Sequence, residues 1–69
     1  MERTSVSSSN LSSVGYDPES LTLEIEFNHG GIYQYYEVPD HINDELMGAS
    51  SLGSYFHHNI KNVYRFAKM

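Results

Sequence analysis

Three tyrosines in four positions, Tyr33, Tyr35 and Tyr36, are the side chains whose type and spacing offer this chain the most chemistry. Aromatic rings standing on a sheet stack on nucleobases, each contact worth about 1–3 kcal/mol by truncation, while a neighbouring Lys or Arg holds the phosphates. Lys61, Arg65 and Lys68 are the basic groups that would serve, with His57 and His58 close by in sequence. Packing competes for the same rings. A chain with no Trp and only three Phe must build much of its interior from Tyr. Stacking platform and core are therefore the two roles open to each ring.

The other reactive side chains form no recognisable active site. A helical metal site needs His at i and i+4 so that both rings face one ion, whereas His57 and His58 are adjacent and point about 100° apart. His29 falls in a turn and His41 at a helix start, where structural or exposed roles are expected. Glu24 and Glu26 share a strand face about 7 Å apart, a spacing open to a hydrated cation or an acid and base pair. Their expected role is to keep the outer face of a sheet wet. No nucleophile elbow surrounds any serine, and Gly30-Gly31 reads as a hairpin, not a phosphate loop. The chain is expected to have no catalytic residues, no metal and no cofactor.

Charge is divided unevenly. Residues 1–45 carry all nine acids and one base, a local charge of −8, whereas residues 46–69 carry three bases and no acid, giving +3 and the overall −5. Such a balance repels a polyanion at long range and leaves only a focused basic patch in the C-terminal segment to meet one. With 69 residues the chain is one domain, near the lower limit for a core without staples, and having no Cys it has neither disulfides nor thiolate zinc ligands. No apolar run approaches 18 residues and no charged-then-apolar leader is present, so a cytoplasmic protein that does not span a membrane is expected.

The elements that must position these side chains follow from periodicity. Residues 1–5 read as a flexible arm leading into a Ser-rich stretch with Val6 and Leu11 as its apolar anchors. Val14-Gly15-Tyr16 forms a short strand, and Asp17-Pro18-Glu19-Ser20 suits a type I turn. Leu21 to Phe27 alternates apolar and polar without a fault, the signature of a strand with one dry face. Asn28-His29-Gly30-Gly31 then turns the chain into a strand over Ile32 to Val38. An even loop would pair Phe27 with Ile32 and turn Ile32, Tyr36 and Val38 inward. An odd one would pair it with Tyr33 and turn Tyr33 and Tyr35 inward, which is the arrangement we expect.

After Pro39 the period changes to about 3.6, with Ile42, Leu46 and Ala49 on one stripe of a helix ending near Gly48 or Ala49. Ser50-Ser51 offers a fresh N-cap for a second helix over 52–62, in which Gly53 suggests close packing. Val63 to Ala67 closes the domain as a strand. The fold class is α+β: a small antiparallel meander of three to four strands with two short helices, residues 6–69 forming the single domain.

The order Val6-x-Ser8-Ser9, Val14-Gly15-Tyr16-Asp17, Leu21-x-Leu23-x-Ile25-x-Phe27, Tyr33-x-Tyr35, Val38-Pro39, Ala49-x-Ser51-x-Gly53-x-Tyr55-Phe56 and Ile60 closely resembles the KTSC domain family. The resemblance spans roughly residues 6–66, and Tyr-x-Tyr is that family's hallmark. It implies a domain also found at the C-terminus of some lysyl-tRNA synthetases and as short bacterial and phage proteins, for which RNA binding has been suggested. No synthetase catalytic motif is present, so aminoacylation does not carry over. The expectation is a non-enzymatic module that contacts RNA, tRNA included, through Tyr33, Tyr35, Tyr36, His57, Lys61, Arg65 and Lys68. The alternative is a protein-interaction or self-association module that uses an open sheet edge or the helix pair to meet a protein partner or form a homodimer.

Overall fold

Five antiparallel strands lie side by side in chain order, β1 (Thr4–Ser5), β2 (Leu11–Asp17), β3 (Thr22–Phe27), β4 (Ile32–Tyr35) and β5 (Phe66–Lys68), in a computed structural model that describes residues 1–69. Helices α1 (Asp40–Met47) and α2 (Leu52–Asn59) are inserted between β4 and β5 and pack on one face. The α+β meander is as expected, with β1 the strand that the Ser-rich composition concealed. No helix is long and apolar enough to cross a membrane.

The core forms where the period-2 pattern of β3 meets the helices. Leu23 and Ile25 are fully buried against Leu11, Val14, Tyr35, Val38, Leu46, Phe56 and Ile60. A shift of register between Leu11 and Ser13 turns Leu11 onto the same face as Val14, which strict alternation would forbid. Leu21 does not extend β3: it has a left-handed backbone (φ 56°), stays exposed and belongs to the turn. That turn is held by Asp17, which accepts from the Glu19 N–H and the Ser20 hydroxyl.

In the β3–β4 hairpin Ile25 stands opposite Tyr33 and Leu23 opposite Tyr35. The loop is Asn28-His29-Gly30, closed by mutual hydrogen bonds between Phe27 and its neighbours Gly30 and Gly31. It is odd, as expected, though one step tighter, so Phe27 faces Gly31 rather than Tyr33. Tyr33 and Tyr35 accordingly turn inward. β4 stops at Tyr35, short of the expected Val38, because Glu37 takes a left-handed conformation (φ 58°) that swings Val38 into the core. The Tyr16 hydroxyl donates to the Val38 carbonyl and pins the swing.

Pro39 precedes α1, whose inner stripe buries Leu46. Ser51 caps α2 by accepting the Ser54 N–H, as its position predicts. Gly53 packs so closely on Asn10 that a Cβ there would lie 2.6 Å from the Asn10 amide nitrogen. The helix ends at Asn59, before the expected residue 62, because Asn62 is left-handed (φ 66°) and the chain turns toward β5. Val63 therefore sits in the turn, 60% exposed, and the closing strand is displaced to Phe66–Lys68.

Two expectations for the outer face are corrected. The arm over residues 1–5 lies on the sheet, because β2 offers it an open edge: Thr4 pairs with Val14 and Ser5 with Ser13. A Cβ at Gly15 would come within 2.5 Å of the Glu2 carbonyl oxygen, so that strand passes beneath the arm only as glycine. Nor does Glu24 keep the face wet, since it is only 7% exposed. Arg3 forms an ion pair with it, Gln34 donates to it at 2.8 Å, and Arg3 also donates to Ser13, which in turn donates to Glu26.

The Gln34 hydrogen bond first, and then Arg3, hold the Glu24 carboxyl below its ordinary 4.5 against burial that pushes it up. A folded-state value below the unfolded one gives stability that is present above the unfolded value and lost as pH falls through the folded one. Urea midpoints should therefore drop as pH descends below 4.5. Gln34→Ala should cost about 1–2 kcal/mol at neutral pH and shrink that acid drop; parallel pH profiles for variant and parent would contradict the account.

Candidate functional site

Odd parity in the β3–β4 hairpin sends Tyr33 and Tyr35 toward the helices, and the return of β5 brings Phe66 against both. Five rings then touch in a closed circuit. Centroids lie 5.5 Å apart for Phe27–Tyr33, 5.9 Å for Tyr33–Phe66, 5.7 Å for Phe66–Tyr35, 5.4 Å for Tyr35–Phe56 and 5.2 Å for Phe56–Phe27. Three of these contacts are edge-to-face, the geometry favoured by ring quadrupoles. His29 extends the circuit by stacking on Phe27. The rings line a cleft of about 330 Å³, with His29, Lys61 and Asn62 completing its wall.

Electrostatics at the cleft run against those of the molecule. No acid lines it, although the protein carries −5 overall. Lys61 also lines a second depression beside the cleft, where His57 and Asn10 join Phe27, His29 and Phe56. Lys68 pairs with Tyr33 across the β4–β5 ladder and so projects from the same face. Tyr35, enclosed among the rings, has its phenol pushed up to about 12, first by burial and then by Tyr33.

The residues singled out from sequence are thus divided by the sheet. Tyr33, Tyr35 and Lys61 line the cleft; Lys68 flanks it in the ladder and His57 belongs to the adjoining depression. Tyr35 is 5% exposed, so its ring is a wall of the core and offers no open stacking face. Tyr36 and Arg65, one residue past β4 and one before β5, lie outside the cleft. Tyr36 donates to Gln34 on the outer face, and Arg65 sits 5.7 Å from the Tyr36 ring while pairing with Glu37. Phe27, His29, Phe56, Asn62 and Phe66 are cleft residues that sequence reasoning assigned to core, turns or strands. The one local signal for them was the aromatic run through Phe66, since their convergence depends on helix and strand packing.

The KTSC domain profile matches residues 7–64. This chain belongs to the KTSC domain family. The crystal structure of a KTSC domain protein from Yersinia pestis superposes with a TM-score of 0.97 at 41% identity, covering 99% of this chain and 96% of that one. An uncharacterized protein from Stutzerimonas stutzeri (strain A1501) is 44% identical over 67 residues, 96% of this chain and 94% of its own length. A lysine–tRNA ligase from Nostoc sp. (strain PCC 7120) is 41% identical over 54 residues, which cover 78% of this chain but 10% of the ligase. In this KTSC domain Tyr33 and Tyr35 sit side by side on the inner face of β4, one half-buried and one enclosed.

The two phenylalanines that close the circuit should respond differently to truncation. Phe56, 7% exposed, is core, and Phe56→Ala should cost about 3–5 kcal/mol in urea unfolding. Phe66 is 56% exposed, and Phe66→Ala should cost less than about 1 kcal/mol. Equal losses would show that Phe66 is a structural ring. Ultraviolet titration should find a late tyrosinate step near pH 12 that diminishes in Tyr35→Phe. Because the folded value is raised, its contribution to stability holds below the unfolded value of 10 and is lost as pH rises through the folded one.

Proposed function

We propose that this KTSC domain is a non-enzymatic RNA-binding module of the cytoplasm, holding RNA at the aromatic cleft and its lysines. The observation that carries the reading is an aromatic cleft with a lysine and no acid in its wall, on a protein of net charge −5. Aromatic faces take bases of any sequence, and lysines answer the phosphates, so the two groups together suit a nucleotide chain. The local absence of acids offsets the repulsion that the remaining surface exerts on a polyanion. A shared 54-residue segment in a lysine–tRNA ligase, a protein named for its action on tRNA, supports the same reading. Phe66 and Tyr33 are the stacking rings, Lys61 and Lys68 the phosphate contacts, and His57 a further donor; Tyr36 and Arg65 take no part.

Titration of the labelled protein with tRNA and with single-stranded RNA at low salt should move the resonances of Tyr33, Phe66, Lys61 and Lys68. Affinity should fall as salt rises, and Lys61→Glu combined with Lys68→Glu should weaken binding about tenfold or more. Unmoved resonances at millimolar RNA in low salt would end the reading.

A second reading rests on the open edge of β5, where Phe66, Met69 and nearby Val63 are 56%, 58% and 60% exposed. Strand edges that expose apolar side chains pair with other chains, and self-association through β5 would cover these three. Size-exclusion chromatography with light scattering separates the two: 7.9 kDa favours the first reading and a multiple of it the second.

A further inference from the structure

The Tyr35 hydroxyl is a polar atom that the fold does not use. The hydroxyls of Tyr16, Tyr36 and Tyr55 donate to the Val38 carbonyl, Gln34 and Glu45, respectively, whereas those of Tyr33, Tyr35 and Tyr64 make no such bond, and of these three Tyr35 alone is buried. Tyr35 is more deeply enclosed than its partner rings, at 5% exposure, yet its hydroxyl makes no hydrogen bond within the protein. No fully buried side-chain polar atom lacks a partner, so this oxygen keeps some exposure, and Tyr35 is one of the residues that line the cleft. A phenylalanine would supply the same ring contacts to Phe56 and Phe66 without the cost of drawing a phenol out of water. Packing therefore accounts for the ring and leaves the hydroxyl unexplained.

The shape and charge of the cleft narrow what the hydroxyl meets. A ring of aromatics also suits an alkylammonium ion, but Lys61 in the wall repels a cation and no acid offsets it. At about 330 Å³ the space lies at the small end of ligand pockets, which run from about 300 to 1,000 Å³. It suits one nucleotide and is too small for a run of stacked bases. Two lysines, one from the turn after α2 and one from β5, are the cations at hand, enough for the phosphates on either side of one residue.

Building on the RNA reading, we infer that the cleft receives a single unpaired nucleotide and that Tyr35 donates its hydroxyl hydrogen to an acceptor on the inserted base. Tyr35 is then a specificity residue of the module. A base held in a duplex cannot enter the cleft, so bulged, looped or terminal nucleotides are the ligands. Because the phenol remains protonated well above neutral pH, it acts as a donor throughout the physiological range.

The test compares adenosine and uridine 5′-monophosphates, trinucleotides and twelve-residue single strands by NMR titration and calorimetry, with parent and Tyr35→Phe protein. The monophosphates should shift the Tyr33, Tyr35 and Phe66 rings, and affinity per site should change less than about threefold beyond the trinucleotide. The dependence of log K on log salt should have a slope near −1.4, about −0.7 for each of two phosphates. Tyr35→Phe should weaken binding about three- to tenfold while the urea midpoint does not fall. Tight binding of long strands with no response to monophosphates would overturn the single-nucleotide inference and leave the RNA reading standing. Failure of every RNA length would remove both. Unchanged affinity in folded Tyr35→Phe would show that the hydroxyl reads no ligand, and a fall in its urea midpoint would overturn the inference by showing that the hydroxyl serves the fold.

Discussion

The pairing of Ile25 with Tyr33 and Leu23 with Tyr35 is the constraint on which the rest of this molecule depends. Side chains alternate along a strand, so a slip of one residue would send both tyrosines to the outer face and bring Gln34 and Tyr36 against the helices. The core would then lose Tyr35, and Phe27 and Phe56 would lose the rings that complete their circuit. The three-residue loop Asn28-His29-Gly30 fixes the parity, with Gly30 supplying the positive φ (102°) that the tight return requires. Stability and the candidate site thus rest on the same hydrogen-bonded ladder.

The two faces of the sheet solve different problems. Inside, apolar burial dominates, and the aromatic circuit opens into a cleft where β5 and the end of α2 leave a gap. Outside, the difficulty is a carboxylate: Glu24 lies in the middle of the sheet, and the N-terminal residues fold across it. Arg3 supplies charge, Gln34 donates a hydrogen bond, Ser13 accepts from Arg3, and Gly15 supplies room for the crossing chain. The cleft wall holds no acid, which matters more for an anionic ligand than the net charge does.

Elements were most legible in the chain where a local physical rule acts on consecutive residues. The faultless alternation from Leu21 to Phe27 marked β3, the Asp17-Pro18 turn marked its entry, and Ser51 marked the start of α2. Element ends were shifted where single residues adopt left-handed backbone, at Leu21, Glu37 and Asn62, none of them glycine. Such conformations are imposed by the packing of neighbouring residues, as when Glu37 turns so that Val38 can enter the core, and composition gives no sign of them. Among the candidate site residues, Tyr33, Lys61 and Lys68 do come together in space. Tyr36 and Arg65 were joined to them because proximity in sequence conceals which way a side chain points.

By itself, then, the sequence determined the kinds of elements, their order, the inward face of β3 and the separation of acids from bases along the chain. These features come from periodicity and composition, which act over a few residues at a time. Tertiary structure alone decided that Arg3, just before β1, pairs with Glu24, that β5 returns beside β4, and that rings from β3, β4, α2 and β5 meet around one cleft. The reason is that periodicity tells which side chains share a face, whereas the segments that come to lie upon that face are chosen by contacts between residues far apart in the chain.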